Sequence, residues 1–118
     1  MNKFICLFVI FFLTKVSFAN TVYSCQMKEN IKVTEFENTL YTLENFSFKK
    51  SGDQLIFGSG GYFNNHRMNL INDSGSYFRS STTNETMIYD NNYFIYSSIG
   101  NTDKYRDIIS IIAICSPF

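Results

Sequence analysis

Apolar and aromatic residues occur along the chain in short bursts, and Asn, Asp, Gly and Ser separate the bursts. That rhythm predicts antiparallel β structure. The densest burst is Ile108–Cys115, where β-branched residues fill both parities, so neither face of a strand here suits water. It predicts a central strand, or one between two sheets. Phe46 and Phe48 alternate with Ser47 and Lys49, the mark of a half-buried strand. Leu55 and Phe57 repeat that pattern across a hairpin loop at Lys50–Asp53, where Gly52 can take a positive φ. Val22–Lys28 and Ile31–Phe36 read as two strands around a turn at Glu29–Asn30. Arg67–Asn72, Ser76–Ser80, Thr86–Tyr89 and Tyr93–Ser97 complete the set, the last two joined across Asp90-Asn91-Asn92. Residues 38–45 fit either a strand or a single helical turn. The expected fold class is all-β: a single small antiparallel β-meander domain of about eight strands. A barrel and a sandwich both solve its edge problem, and the pattern does not choose between them.

The first residues follow a different logic. Met1-Asn2-Lys3 is basic, Phe4–Leu13 is an unbroken apolar run, and Ser17-Phe18-Ala19 offers small residues for cleavage. This predicts a signal peptide over 1–19, removed after Ala19. The run makes a helix of roughly 15 Å, half the ~30 Å needed to cross a bilayer, and Lys15 interrupts it, so no stable membrane span is expected. The mature domain is then 20–118, in a secreted or periplasmic location.

Export changes the charge balance. Without Lys3 and Lys15, eight basic residues face ten acidic ones, a net charge of −2. A nucleic-acid partner needs a basic stripe, so none is expected. Eight Phe and eight Tyr remain after the leader. That aromatic load, with few charges, excludes a disordered chain. Cys6 leaves with the leader, so Cys25 and Cys115 can pair only with each other inside one chain. Their disulfide joins the first strand to the last.

Catalytic chemistry finds little footing. His66 is the single histidine, there is no Gly-x-Ser-x-Gly elbow, and both mature cysteines are committed. One histidine does not make a zinc site, and the Asp-Asn turns at Asp73, Asp90 and Asp103 match ordinary turn chemistry as well as they match calcium. Glu35 with Glu37, and Asp103 with Asp107, are the carboxylate pairs to weigh for glycosidase chemistry, but nothing sets them in a cleft. Gly58-Ser59-Gly60-Gly61 follows a strand, yet no helix start or Lys follows it, so it predicts a bend rather than a phosphate loop. No catalytic residue, metal or cofactor is expected, and the domain reads as non-enzymatic. Asn45, Asn72 and Asn84 begin Asn-x-Ser/Thr sequons, which matter only in a eukaryotic source.

The aromatics give the positive lead. More tyrosines are present than a core of this size needs, and exposed Tyr among Asn and Ser suits recognition surfaces. The candidate binding residues are Tyr62, Phe63, His66, Arg67 and Tyr77, which bracket the glycine-rich bend. The plan of leader, Tyr23-Ser24-Cys25, short strands and a Cys near the end resembles small periplasmic β-barrel proteins, including inhibitors of c-type lysozyme. In that family a Ser-Gly-x-x-Tyr element and a later Lys carry inhibition. Here Ser74-Gly75-Ser76-Tyr77 is one residue shorter and no matching Lys follows, so the resemblance covers layout and assigns no residue. The expected function is binding of a protein or glycan partner. Two alternatives stand beside it: inhibition of an extracellular hydrolase through a loop such as Asn72–Ser76, and carriage of a small ligand in an aromatic-lined cavity.

Overall fold

The computed structural model describes residues 21–35, 37–101 and 106–117. The predicted leader lies outside them, as do Phe36, Asp103 and Tyr105. The described chain is all-β and antiparallel. Ten strands follow in order: β1 (Thr21–Thr34), β2 (Asn38–Leu40), β3 (Asn45–Ser51), β4 (Gln54–Phe57), β5 (Arg67–Asn69), β6 (Asn72–Asp73), β7 (Tyr77–Ser81), β8 (Glu85–Asp90), β9 (Tyr93–Asn101) and β10 (Arg106–Pro117). They form one sheet in the order β5-β4-β3-β1-β10-β9-β8-β7-β6, with β2 beside β1. The sheet curls into a half-barrel, an arrangement short of the closed barrel and different from the two-sheet sandwich that were expected.

The count exceeds the expected eight because Arg67–Asn72 divides and Asn38–Leu40 joins the sheet. Residues 67–73 act as a seam. At β5 they pair with β4, and at β6 they pair with β7. Between those strands the Leu70 N–H donates to Asp53 O at 2.7 Å, and the Ile71 N–H to Arg79 O at 3.0 Å. One extended segment thus serves both ends of the strand order.

The turn expected at Glu29–Asn30 is not there. β1 runs straight through it, with a β-bulge between Met27 and Glu29. The extra residue switches side-chain parity. Upstream, Tyr23, Cys25 and Met27 face the core; downstream, the buried Asn30 does so. The hairpin between β8 and β9 is tighter than expected. Asp90 pairs with Tyr93, and Asn91 and Asn92 alone make the turn at φ of 50° and 75°. Two positive-φ residues suit the right-handed twist of the flanking strands, and Asn tolerates that region better than other non-glycines.

The concave face is filled. Phe48, Leu55, Phe78, Met87, Phe94 and Ile111 are each at most 1% exposed. Phe78 and Tyr89 stack at 4.5 Å and Tyr23 and Phe48 at 4.9 Å, while Phe94 meets Phe46 edge-on at 5.1 Å. Offset and edge-on geometries are the favoured ones for aromatic pairs. Cys25 and Cys115 are bonded and sit opposite each other on β1 and β10. Such a bond is compatible with an oxidising compartment. Among the described residues no helix is long and apolar enough to cross a membrane.

Ile108–Cys115 is central, as expected, but only one of its faces is buried. Ile111, Ala113 and Cys115 point inward, whereas Ile108 and Ile114 remain 47% and 41% exposed on the outer surface.

Candidate functional site

The inward rows turn polar at one end of the half-barrel. Cross-strand register places Ile109 opposite Lys32 on β1 and opposite Ser98 on β9, and Ser98 opposite Glu85 on β8. The neighbouring row, Asn30–Ile111–Tyr96–Met87, forms the floor. Over this mouth folds the segment 58–66. Gly60 and Gly61 turn it at φ of 90° and 71°. Gly61 also leaves room for Glu44, since a Cβ there would meet the Glu44 carboxylate at 2.5 Å. That carboxylate accepts from the Tyr62 N–H at 2.7 Å and fixes the loop.

The loop carries three aromatic rings with different roles. Phe63 is a plug, 2% exposed and stacked on Phe57 at 4.7 Å. Tyr62 lies above it, 41% exposed, with its hydroxyl 3.4 Å from Ser98 Oγ. His66 turns into the mouth, where Nε2 stands 2.9 and 3.0 Å from the two carboxylate oxygens of Glu85. Tyr96 donates its phenol proton to Glu85 Oε2 at 2.7 Å. Glu85 thereby ties the loop histidine to the barrel wall, and neither partner is at the loop's own position in the chain.

Of the five candidate binding residues, the structure brings Tyr62, Phe63 and His66 together and leaves two elsewhere. Arg67 is exposed on β5, on the opposite face from the buried Met68. Tyr77 pairs with Asp90, at the far end of β8 from Glu85. Five residue steps along the strand separate those two β8 positions, about 17 Å. Glu85, Tyr96, Asn30 and Lys32 are mouth residues that the sequence reading did not single out. Their inward direction depends on the bulge and on cross-strand register, and local pattern carries neither.

Beside Tyr62 an open cleft of about 430 Å³ is lined by Asn30, Lys32, Tyr41, Glu44, Tyr62 and Ile109. Lys32 is held by Asp107 at 3.4 Å, and Asn30 Nδ2 donates to Thr42 O at 3.4 Å. Two exposed tyrosines thus face an ammonium, an amide and a carboxylate. The chemistry on offer is hydrogen bonding and ring stacking. Among the described residues no group of three or more His, Cys, Asp or Glu is placed to hold a metal ion.

Burial, and then the hydrogen bonds and charges of Tyr62 and Glu85, push the Tyr96 phenol well above the ordinary tyrosine range. Burial and the nearby Tyr23 raise Tyr89 as well, against the opposing contact with Asn92. The folded chain therefore keeps protons that an unfolded chain releases near pH 10. Stability is full below about pH 10 and declines as pH rises beyond it. An absorbance titration of the folded protein is expected to show Tyr96 ionising only as it unfolds and Tyr89 ionising above the ordinary tyrosine range, and Tyr96→Phe should remove the first of these and soften the alkaline transition. Simple ionisation of all tyrosines in the folded state would contradict the buried placement of these phenols.

Comparison of the chain with protein-family models, with curated proteins and with solved structures finds no match.

Proposed function

We propose that the chain is an exported, non-enzymatic recognition domain that binds its partner at the mouth of the half-barrel. The observation that carries this is the cleft in which exposed Tyr41 and Tyr62 flank Asn30, Lys32 and Glu44. A flat phenol ring offers contact area at low entropic cost, and a few placed polar groups set orientation. Of the two partner classes expected, a glycan fits this lining better. Its C–H faces can stack on the tyrosines while its hydroxyls meet the amide, ammonium and carboxylate. Export rests on the leader pattern and on a disulfide compatible with an oxidising compartment.

The carrier alternative has less support, because the concave face is packed with side chains and the cleft lies open at its end. The inhibitor alternative keeps one specific observation. At the other end of the half-barrel, the exposed turn 73–76 is pinned from within. Asp73 accepts from Lys50 Nζ at 2.7 Å and from the Gly75 N–H at 3.0 Å, and the Ser74 N–H donates to Tyr77 O at 2.8 Å. Burial pushes the Asp73 carboxyl upward, but the Lys50 and Gly75 hydrogen bonds and the Lys50 charge outweigh it and hold the group below its usual range. A turn already in one conformation loses little entropy when it enters an enzyme cleft.

Titration of the exported, oxidised chain against a panel of oligosaccharides and a panel of extracellular hydrolases separates these readings. A glycan ligand is expected, with Tyr62→Ala weakening it by about tenfold or more and leaving the melting temperature in place. Binding that ignores Tyr62 but is lost in Gly75→Ala would replace this reading with the inhibitor one. Binding of nothing in either panel would overturn both.

A further inference from the structure

The outer surface of the half-barrel carries a feature unrelated to the mouth. Val33, Tyr93, Ile95, Ile99, Ile108 and Ile114 are 39–58% exposed. They are not scattered. Val33 pairs with Ile108 and Ile108 with Ile99; Ile114 pairs with Tyr93; Ile95 lies between them on β9. Half-buried Ile112 and Ile88 flank Ile95 in register. The result is a largely apolar face over β1, β10, β9 and β8, crossed by the uncharged row Ser110–Ser97–Thr86, with on the order of 500 Å² of apolar side chain shown to water, a large amount for a monomer. A strand that is apolar on both parities suits cover on both faces.

One cross-strand row says what the cover is. It reads Glu29–Ile112–Ile95–Ile88–Arg79 across β1, β10, β9, β8 and β7. Three isoleucines are bounded by an acid on one side and a base on the other, with Ile95 at the midpoint. When a two-fold axis runs along β9, the row lies on its own reversed copy. Isoleucine then meets isoleucine, and the Glu29 flank of each chain meets the Arg79 flank of the other. Such self-complementarity is what an isologous contact requires.

We propose that this face binds a second copy of the chain, sheet against sheet, about a two-fold axis along β9. Two such faces bury on the order of 1,000 Å² in total, the level at which a specific interface begins. The face is convex, so contact is closest along β9, with β10 of each chain over β8 of the other. The long Glu and Arg side chains span the widening gap at the flanks. Within the central row no charge lies among the three isoleucines, so little desolvation cost opposes closure there; Asp90, exposed in register with Tyr93, lies at the edge of the face.

Sedimentation of the exported, oxidised chain from about 1 to about 100 µM tests this. A concentration-dependent dimer is expected. Ile95→Thr, which keeps a β-branched residue in an exposed strand position, should weaken it at least tenfold without changing the circular dichroism spectrum. Glu29→Arg and Arg79→Glu should each weaken it, and the double exchange should restore most of the loss. A monomer throughout the range overturns the proposal. So does a dimer indifferent to Ile95, or single exchanges whose combination restores nothing. A monomer that binds neutral phospholipid vesicles would overturn it in favour of a lipid surface.

Discussion

Replacing Cys25 and Cys115 together by alanine is expected to lower the melting temperature by roughly 20 °C. The two residues are separated by 90 positions, so the bond closes almost the whole described chain into one loop. Chain-entropy reasoning assigns a loop of this length about 4.6 kcal/mol, much of the 5–15 kcal/mol that ordinarily separates folded from unfolded. The pair is also 1–2% exposed inside the aromatic core, so the alanines leave small voids and add to the loss. Reduction without substitution separates the two contributions, because free thiols keep the volume and release the loop. Melting followed by circular dichroism on oxidised, reduced and substituted protein reads both. A drop of only about 5 °C on reduction would mean that the open chain retains much of its structure.

The second large effect is expected at Phe94. Its ring is fully buried and lies within 5.1–6.0 Å of the rings of Phe46, Phe48, Phe57 and Phe63. It therefore joins the β3–β4 hairpin and the loop plug to β9. Phe94→Ala removes a whole ring from close-packed surroundings and should cost about 3–5 kcal/mol. Phe94→Leu keeps part of the volume and should cost clearly less. Urea denaturation measures both, with an unchanged slope showing that the transition remains the same. A loss under about 1 kcal/mol for the alanine variant would mean that neighbouring rings collapse into the space. The mouth should then lose its ordered Tyr62, since Phe63 rests on the same cluster.

Much of this architecture is legible where physics is local. Phe46 and Phe48 announce a strand because side chains alternate with period two, and Gly52 and the Asn91-Asn92 pair announce their hairpins because few residues accept a positive φ. Cysteine pairing follows from simple exclusion. The misses share a cause: they depend on what another part of the chain does. Glu29–Asn30 resembles a turn, but continuous pairing with β10 turns it into a bulge. Ile108 and Ile114 look like core residues, yet one curled sheet has only one inner face. The contact between His66 and Glu85 spans nineteen positions, and the intervening chain must cross the seam at residues 67–73 before it can form. Tyr62 was legible as an exposed aromatic beside glycines; its neighbours Asn30 and Lys32 were not, because the bulge decides which way they face.

The pairing of β1 with β10 has a kinetic side. Most neighbouring strands here are also neighbours in sequence, so their hairpins can form quickly and alone. The central ladder is different: it joins the beginning of the described chain to its end, the slowest kind of encounter for an open polymer. Once the sulfur bridge exists, that search is already over. A denatured but oxidised molecule begins refolding as a closed loop, with the two longest strands tethered at Cys25 and Cys115 and ready to zip outward from that point.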